Sequence, residues 1–312
     1  MLLVQYTLIY ASVLIFVAIG GMYSEHSGVI NLGLEGEMVM GALGGAFTLF
    51  ALPAGTPPLV IILLTILASA LCGMVYSLFL AVAAINFKAD QTLVGTAMNM
   101  LATAIATVVV KAFNTGRSSG DNVSAILEYI ENRKVFLIHT PSIDLNIYMF
   151  LTIILLVVAY IVIYKTRFGL RLMACGEHPQ AADSVGINVY KMRYAGVIIS
   201  GFCGGIGGTI YISAANSQWD FIYGVAGAGF LALAVMIFGQ WKPIRIALAA
   251  ILFGFFRAVA DAYLGFDFLV NLVPGEIYKM LPYIISLVVL AFTSKKSRAP
   301  KAEGIPYEQG QR

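Results

Sequence analysis

The chain has 312 residues, 60% of them hydrophobic and only 11% charged, with a formal net charge of +3. At a mean hydropathy of +0.87 that many apolar side chains cannot be hidden in one water-soluble core, which excludes a soluble globular protein, and no nucleic-acid partner is expected. The apolar runs are long and separated by Gly, Pro and charge, as for helices of about 20 residues crossing about 30 Å of hydrocarbon rather than for alternating barrel strands. The expected fold is an all-α, polytopic membrane helix bundle.

About nine spans are expected, within a range of eight to ten: 3–20, 36–52, 58–85, 92–113, 147–164, 194–213, 224–240, 245–264 and 278–294. The first run lacks a basic leader and a small-residue cleavage site, so it reads as retained. Segment 27–41 opens the second span and carries Glu35 and Glu37, which a lipid-facing helix could not tolerate. On a continuous helix Asn31, Glu35, Met38 and Ala42 share one face while Glu37 points elsewhere, so the two carboxylates are not an acid/base pair. Gly28, Gly33 and Gly36 allow the backbone to unwind or pack closely. Two readings stay open: Asn31 and Glu35 satisfy backbone groups at a helix break, or they line a passage. Either places them inside the bundle.

The fourth span opens with Asp90, Gln91, Thr92, Thr96 and Asn99. Gln91 and Asn99 each donate and accept at once, which suits the edge of a heterocycle or a sugar hydroxyl, with interhelical hydrogen bonding as the alternative. Residues 114–146 mix acid and base in the longest loop. Segment 169–186, GLRLMACGEHPQAADSVG, is a polar interruption between apolar runs. Pro179 suits the first turn of a short helix and Gly186 the left-handed position past its end. Ala181, Ala182 and Val185 would form a small apolar face for a partner, with Gln180, Asp183 and Ser184 solvated. An amphipathic connector is the plainer reading.

The glycines at 201, 204, 205, 207 and 208 carry GxxxG spacings and predict close helix packing. Trp219 and Phe221 read as interface anchors. Arg257 and Asp261, four residues apart in the eighth span, neutralise each other, with gating as the alternative. No CxxC or CxxH spacing, GxxxxGK[ST] loop or nucleophile–base pair occurs, so no metal site, catalytic residue or bound nucleotide is expected.

Lys165, Arg167, Arg171, Lys191, Arg193, Lys242, Arg245, Lys295, Lys296, Arg298 and Lys301 fall on one face if there are nine crossings. That face is expected to be cytoplasmic, with the C-terminus inside and the N-terminus outside. Segments 28–45 and 224–239 are both Gly-punctuated runs opening a span, which suggests two repeats, the second inverted by the single span between them.

At these residues the chain resembles a known family. SGVINLGLEGEMVMGA, DQTLVGTAMNMLA, GLRLMACGEHPQAADSVGINVYKMRYAGVIISG and GFLALAVMIFGQWKP together look like permease subunits of bacterial ABC importers in the branched-chain amino acid and simple-sugar superfamily, most closely its nucleoside-uptake branch. The resemblance implies a transmembrane permease domain over 1–294 with a coupling loop at about 169–192. It implies a multi-pass protein of the bacterial cell membrane that is not itself an enzyme. The tail over 295–312, with two prolines and mixed charge, reads as cytoplasmic and disordered. Expected partners are a second permease, the same or related, a cytoplasmic ATPase that binds ATP and Mg, and an external substrate-binding lipoprotein. Asn31, Glu35, Gln91 and Asn99 are the candidates for the substrate path. Pro179, Ala181, Ala182, Asp183, Val185 and Gly186 are the candidates for ATPase coupling. A simple-sugar permease and an ion-coupled secondary transporter using Glu35, Glu37 and Asp261 are the competing readings.

Overall fold

The computed structural model describes residues 2–53, 55–117, 124–129, 132, 134–139, 144–214, 216, 218–265, 274–293 and 299–309. Lys295, Lys296 and Arg298, used above for orientation, lie outside the described residues. The chain folds as an all-α membrane bundle of α1 (Leu2–His26), α2 (Leu34–Ala51), α3 (Pro58–Ala81), α4 (Gln91–Arg117), α5 (Ile147–Lys165), α6 (Arg167–Glu177), α7 (Pro179–Ser184), α8 (Val189–Ser213), α9 (Ala228–Phe238), α10 (Pro243–Ala262) and α11 (Gly275–Thr293). Among the described residues, six helices are long and apolar enough to cross a membrane: α1, α3 with its π-helical extension to Asn86, α4, α5, α8 and α10.

Local chemistry sets the boundaries. The side chains of Asn146, Thr166 and Asn188 accept from backbone N–H groups at the starts of α5, α6 and α8. Pro57 and Pro58 open α3 and Pro243 opens α10, where a missing N–H is harmless. The expected continuous span over 224–240 is not formed. The chain makes a 3-10 turn at Phe221–Tyr223, passes left-handed positions at Ala226 and Gly227 (φ 52° and 78°), and only then enters α9. Its 11 residues reach about 16 Å, half a bilayer, at about 1.5 Å per residue. Gly224 and Gly227, both at positive φ, permit the break.

α8 is the axis of the bundle, mostly buried, with α1, α2 and α3 packed around it. Its glycines make the approach possible: a Cβ on Gly208 would stand 1.9 Å from the Met38 carbonyl oxygen, and one on Gly41 would stand 2.1 Å from the Gly205 Cα. The expected close packing is thus present. Two short antiparallel pairs, β1 (Ile126–Glu128) with β4 (Gln218–Asp220) and β2 (Leu137–His139) with β3 (Asp144–Asn146), lie on the connecting segments.

Phe221 is fully buried, and Trp219 packs edge-on against Tyr211 at 5.4 Å while donating to the Gly224 carbonyl at 2.7 Å. Phe221 is a core residue and not an interface anchor, while half-buried Trp219 packs against the core. Arg257 Nε stands 3.6 Å from Asp261, which Tyr10 also engages, and donates through Nη2 to the Tyr211 hydroxyl at 3.3 Å. The pair is neutralised within the bundle as expected. Residues 299–309, expected to be disordered, instead fold back on the end of the bundle that carries α7, with Ala302 and Tyr307 buried. Backbone pairing with Gly28 and Gly176 supplies what composition did not signal.

Candidate functional site

A cleft of about 650 Å³ opens on the side of the bundle between α4 and the start of α9. Thr96, Asn99, Met100, Thr103 and Thr107 line it from α4, Glu35 from α2 and Phe230 from α9. Thr96, Met100, Thr103 and Thr107 recur at i, i+4, i+7 and i+11, so they fall on one face of α4. The hydroxyls of Thr96 and Thr103 donate back along α4, to Thr92 O at 2.8 Å and Asn99 O at 3.3 Å, and that of Thr107 donates to Phe221 O at 3.2 Å. Their oxygen lone pairs therefore remain to accept from a ligand.

Glu35 closes the inner end of the cleft. Its two carboxylate oxygens accept from Gly227 N at 2.8 Å and Gly229 N at 2.6 Å, the first turn of the half-helix α9. A helix N-terminus carries partial positive charge and unpaired N–H groups, so this carboxylate satisfies donors that would otherwise recruit an anion. The cleft it borders is mostly apolar, with Met100, Ala104, Val108 and Phe230 beside three threonine hydroxyls and the capped carboxylate of Glu35.

Behind this wall the remaining polar side chains hold the turn ahead of α2. Asn99 uses both ends of its amide, accepting from Gly36 N at 2.8 Å and donating to Leu32 O at 2.8 Å. Gln91 accepts from Ile30 N at 2.7 Å. Asn31 donates through Nδ2 to Glu37 Oε1 at 2.8 Å and to Ser200 Oγ at 2.7 Å, and Ser200 donates to Glu37 Oε2 at 3.2 Å. Asn31 and Glu37 are both fully buried. The expectation that Asn31 shares a helical face with Glu35 fails because the helix starts only at Leu34, leaving Asn31 in a turn that aims it at Glu37. Of the four path candidates, Glu35 and Asn99 border the cleft; Asn31 and Gln91 brace the turn behind it.

Comparison with known proteins then decides the family. The family described as branched-chain amino acid transport system / permease component matches residues 3–290. The chain belongs to this permease family. The nucleoside ABC transporter permease protein NupC of Lactococcus lactis is 39% identical, over 98% of this chain and 96% of its own. The guanosine ABC transporter permease protein NupQ of Bacillus subtilis is 40% identical, over 100% and 98%. The putative glucose ABC transporter permease protein TsgC13 of Haloferax volcanii is 32% identical, over 80% and 74%.

In this permease the 179–186 segment is the short helix expected, with Pro179 in its first turn and Gly186 at φ 83°. Its faces differ from expectation. Ala182 points inward, 3% exposed, in a small cluster with Cys175, Val189 and Tyr307, and Pro179 is buried as well. Ala181 and Val185 point outward, Val185 at 74% exposure, beside exposed Ser184 and half-buried Asp183. Ile187 N bonds back to Ala182 O, and Ala182 is covered by the cluster with Cys175, Val189 and Tyr307. Among the permease's cleft residues, Met100, Thr103, Thr107 and Phe230 were not singled out from sequence. The helical spacing of the threonines was readable, but nothing in the sequence said which face of α4 would border a cleft.

Proposed function

We propose that this permease forms half of an alternating-access path for a nucleoside in an ATP-driven importer, paired with a second permease, the same chain or a relative. The observation that carries the substrate class is the Glu35 cap on α9. Half-helix N-termini at the centre of a transporter are places where anionic substrate groups dock, and here that place is filled by the protein's own carboxylate. A phosphate or free carboxylate is repelled, whereas neutral sugar hydroxyls meet threonine oxygens and a base can stack on Phe230. The NupC and NupQ names agree with that chemistry. A simple sugar is the second reading, favoured by the three threonine hydroxyls and by TsgC13. The ion-coupled alternative has less support, because Glu35, Glu37 and Asp261 are each committed to protein donors.

Coupling runs through α7, whose exposed Ala181 and Val185 face suits a groove on a cytoplasmic ATPase that binds ATP and Mg. An external lipoprotein delivers the substrate. The membrane topology we propose has nine crossings: the six long helices, α2, the broken segment through α9, and α11. The N-terminus is outside, and α7 and the C-terminus are cytoplasmic. The N-termini of α2 and α9 abut, with Glu35 N 2.5 Å from where a Cβ on Gly229 would lie. From that point α2 runs toward β1, bonded at its end by Asn132, and α9 runs toward Trp241 beside His26. Two interrupted segments meeting N-terminus to N-terminus and diverging are what an inverted repeat produces. Uptake of labelled nucleoside into cells expressing the importer, challenged with unlabelled nucleosides and simple sugars, tests the substrate class: competition by sugars alone would replace nucleoside with sugar.

A further inference from the structure

Residues 299–309 make a continuous run of contacts on the end of the bundle that carries α7. Ala302 N donates to Gly176 O at 2.8 Å, the last turn of α6, and Gly304 N donates to Gly28 O at 3.2 Å, in the turn ahead of α2. Gly304 sits at φ 76°, and a Cβ there would lie 2.7 Å from Ile30. Tyr307 packs edge-on against Tyr190 at 5.3 Å and belongs to the buried cluster that holds Ala182 of α7. Glu308 pairs with Lys88 in the turn between α3 and α4.

Arg193 shows how firmly the tail belongs there. Its side chain is 1% exposed in the first turns of α8 and, among the described residues, has no carboxylate partner. It donates through Nη2 to the Ile305 carbonyl at 3.0 Å, and its guanidinium lies 6.0 Å from the Tyr307 ring centre. A buried cation needs hydrogen-bond acceptors and ring faces in place of water, and the tail supplies both. The tail is thus a component of the inner end of the bundle.

The same turn that the tail grips at Gly28 and Ile30 continues into Asn31, braced by Glu37, and into Glu35 at the cleft. We infer that residues 302–308 form a strap that carries movement of α7 to this turn and so to the cleft, with Tyr307 and Arg193 as its positioning residues. Tyr307 seats the strap on α7; Arg193 fixes it to α8; Gly304 and its neighbours hold the turn. The inference rests on α7 being the coupling element.

The test uses the complete importer of permease, ATPase and binding protein in proteoliposomes. It compares wild type with a chain ending at Pro300, with Tyr307→Ala, and with Tyr307→Phe, which keeps the ring. Two quantities are read: nucleoside imported per ATP hydrolysed, and the ATP-induced change in the EPR line shape of a spin label at Leu32. The strap predicts that truncation and Tyr307→Ala keep the ATPase bound and hydrolysing within about twofold of wild type. Import per ATP falls at least tenfold, the label's response disappears, and Tyr307→Phe restores both. Unchanged import per ATP, or a label response that persists without the tail, overturns it. So does a loss of assembled complex in which the remaining complex imports normally per ATP, since that is a purely structural role. A wild-type importer that carries no nucleoside refutes the substrate reading, and the label, which needs no cargo, still decides the strap.

Discussion

Glu35 of α2 and Gly229 of α9 are 2.6 Å apart, carboxylate oxygen to backbone nitrogen, across 194 residues of sequence. With the bond from Gly227 N to the other carboxylate oxygen, this contact joins the two interrupted segments of the bundle beside the cleft.

Replacing Glu35 with Gln leaves one acceptor oxygen where there were two and removes the negative charge from the helix N-terminus. A charge-assisted bond contributes about 1.5–3 kcal/mol, so Glu35→Gln is expected to lower uptake by at least tenfold while the protein remains in the membrane. It also frees a donor for anions, so a carboxylate-bearing nucleoside analogue becomes a better inhibitor than in wild type. Glu37→Gln, sealed behind Asn31 and Ser200, leaves analogue selectivity as it was. Uptake and inhibition assays, normalised to immunoblotted permease, separate the two.

The threonine face of α4 makes a second prediction. Thr103→Val keeps the shape and removes the acceptor, which for one hydrogen bond of about 1 kcal/mol raises the half-saturating substrate concentration about fivefold. Maximal uptake stays close to wild type, because the hydroxyl serves binding and not the conformational cycle. An unchanged concentration dependence in both Thr103→Val and Thr107→Val would remove this face from the path.

On α7 the two alanines and the valine are not equivalent. Val185 is exposed, so Val185→Asp is tolerated by the fold and is expected to lose the ATPase on co-purification. Ala182 is enclosed with Cys175, Val189 and Tyr307, so Ala182→Asp buries an unpaired charge within the permease at about 3–5 kcal/mol and lowers its thermal stability in detergent. A Val185→Asp permease that holds its ATPase and transports normally would make α7 a connector.

The contrast between Ala182 and Val185 shows where sequence reasoning stops. Pro179 and Gly186 are local signals, each tied to a backbone geometry, and they placed the helix correctly. Which side faced out depended on Tyr307, more than a hundred residues away in a tail whose prolines and mixed charge resemble disorder. The same holds at the cleft. Glu35 and Asn99 were legible because a carboxylate and an amide inside a membrane run demand partners. Asn31 was placed on one helical face with Glu35, since helix periodicity was extended through Gly33 into a turn. The broken α9 escaped for a related reason: Gly224 and Gly227 were visible as punctuation, but an apolar run gives no sign of where its hydrogen bonds are interrupted.

The docked tail should respond to pH. Burial pushes the Glu303 carboxyl from 4.5 up to about 7, against a hydrogen bond with Glu25 that lowers it. A carboxyl raised on docking binds its proton more tightly docked than free, so its favourable contribution is complete below about 4.5 and is lost as pH rises through about 7. A spin label at Gln309 is expected to be more mobile at pH 8.5 than at pH 5.5, and Glu303→Gln, which mimics the protonated group, to flatten that change. Mobility independent of pH in the unsubstituted tail would contradict this account of Glu303.

The central claim is that this permease moves nucleoside on ATP and not on an ion gradient, and proteoliposomes holding permease, ATPase and binding protein test it most directly. Labelled nucleoside uptake is measured with ATP supplied to the ATPase, with and without an ionophore that collapses proton and sodium gradients. The account predicts uptake that requires ATP and continues when the gradients are gone. Uptake that proceeds without ATP and stops with the ionophore would contradict it.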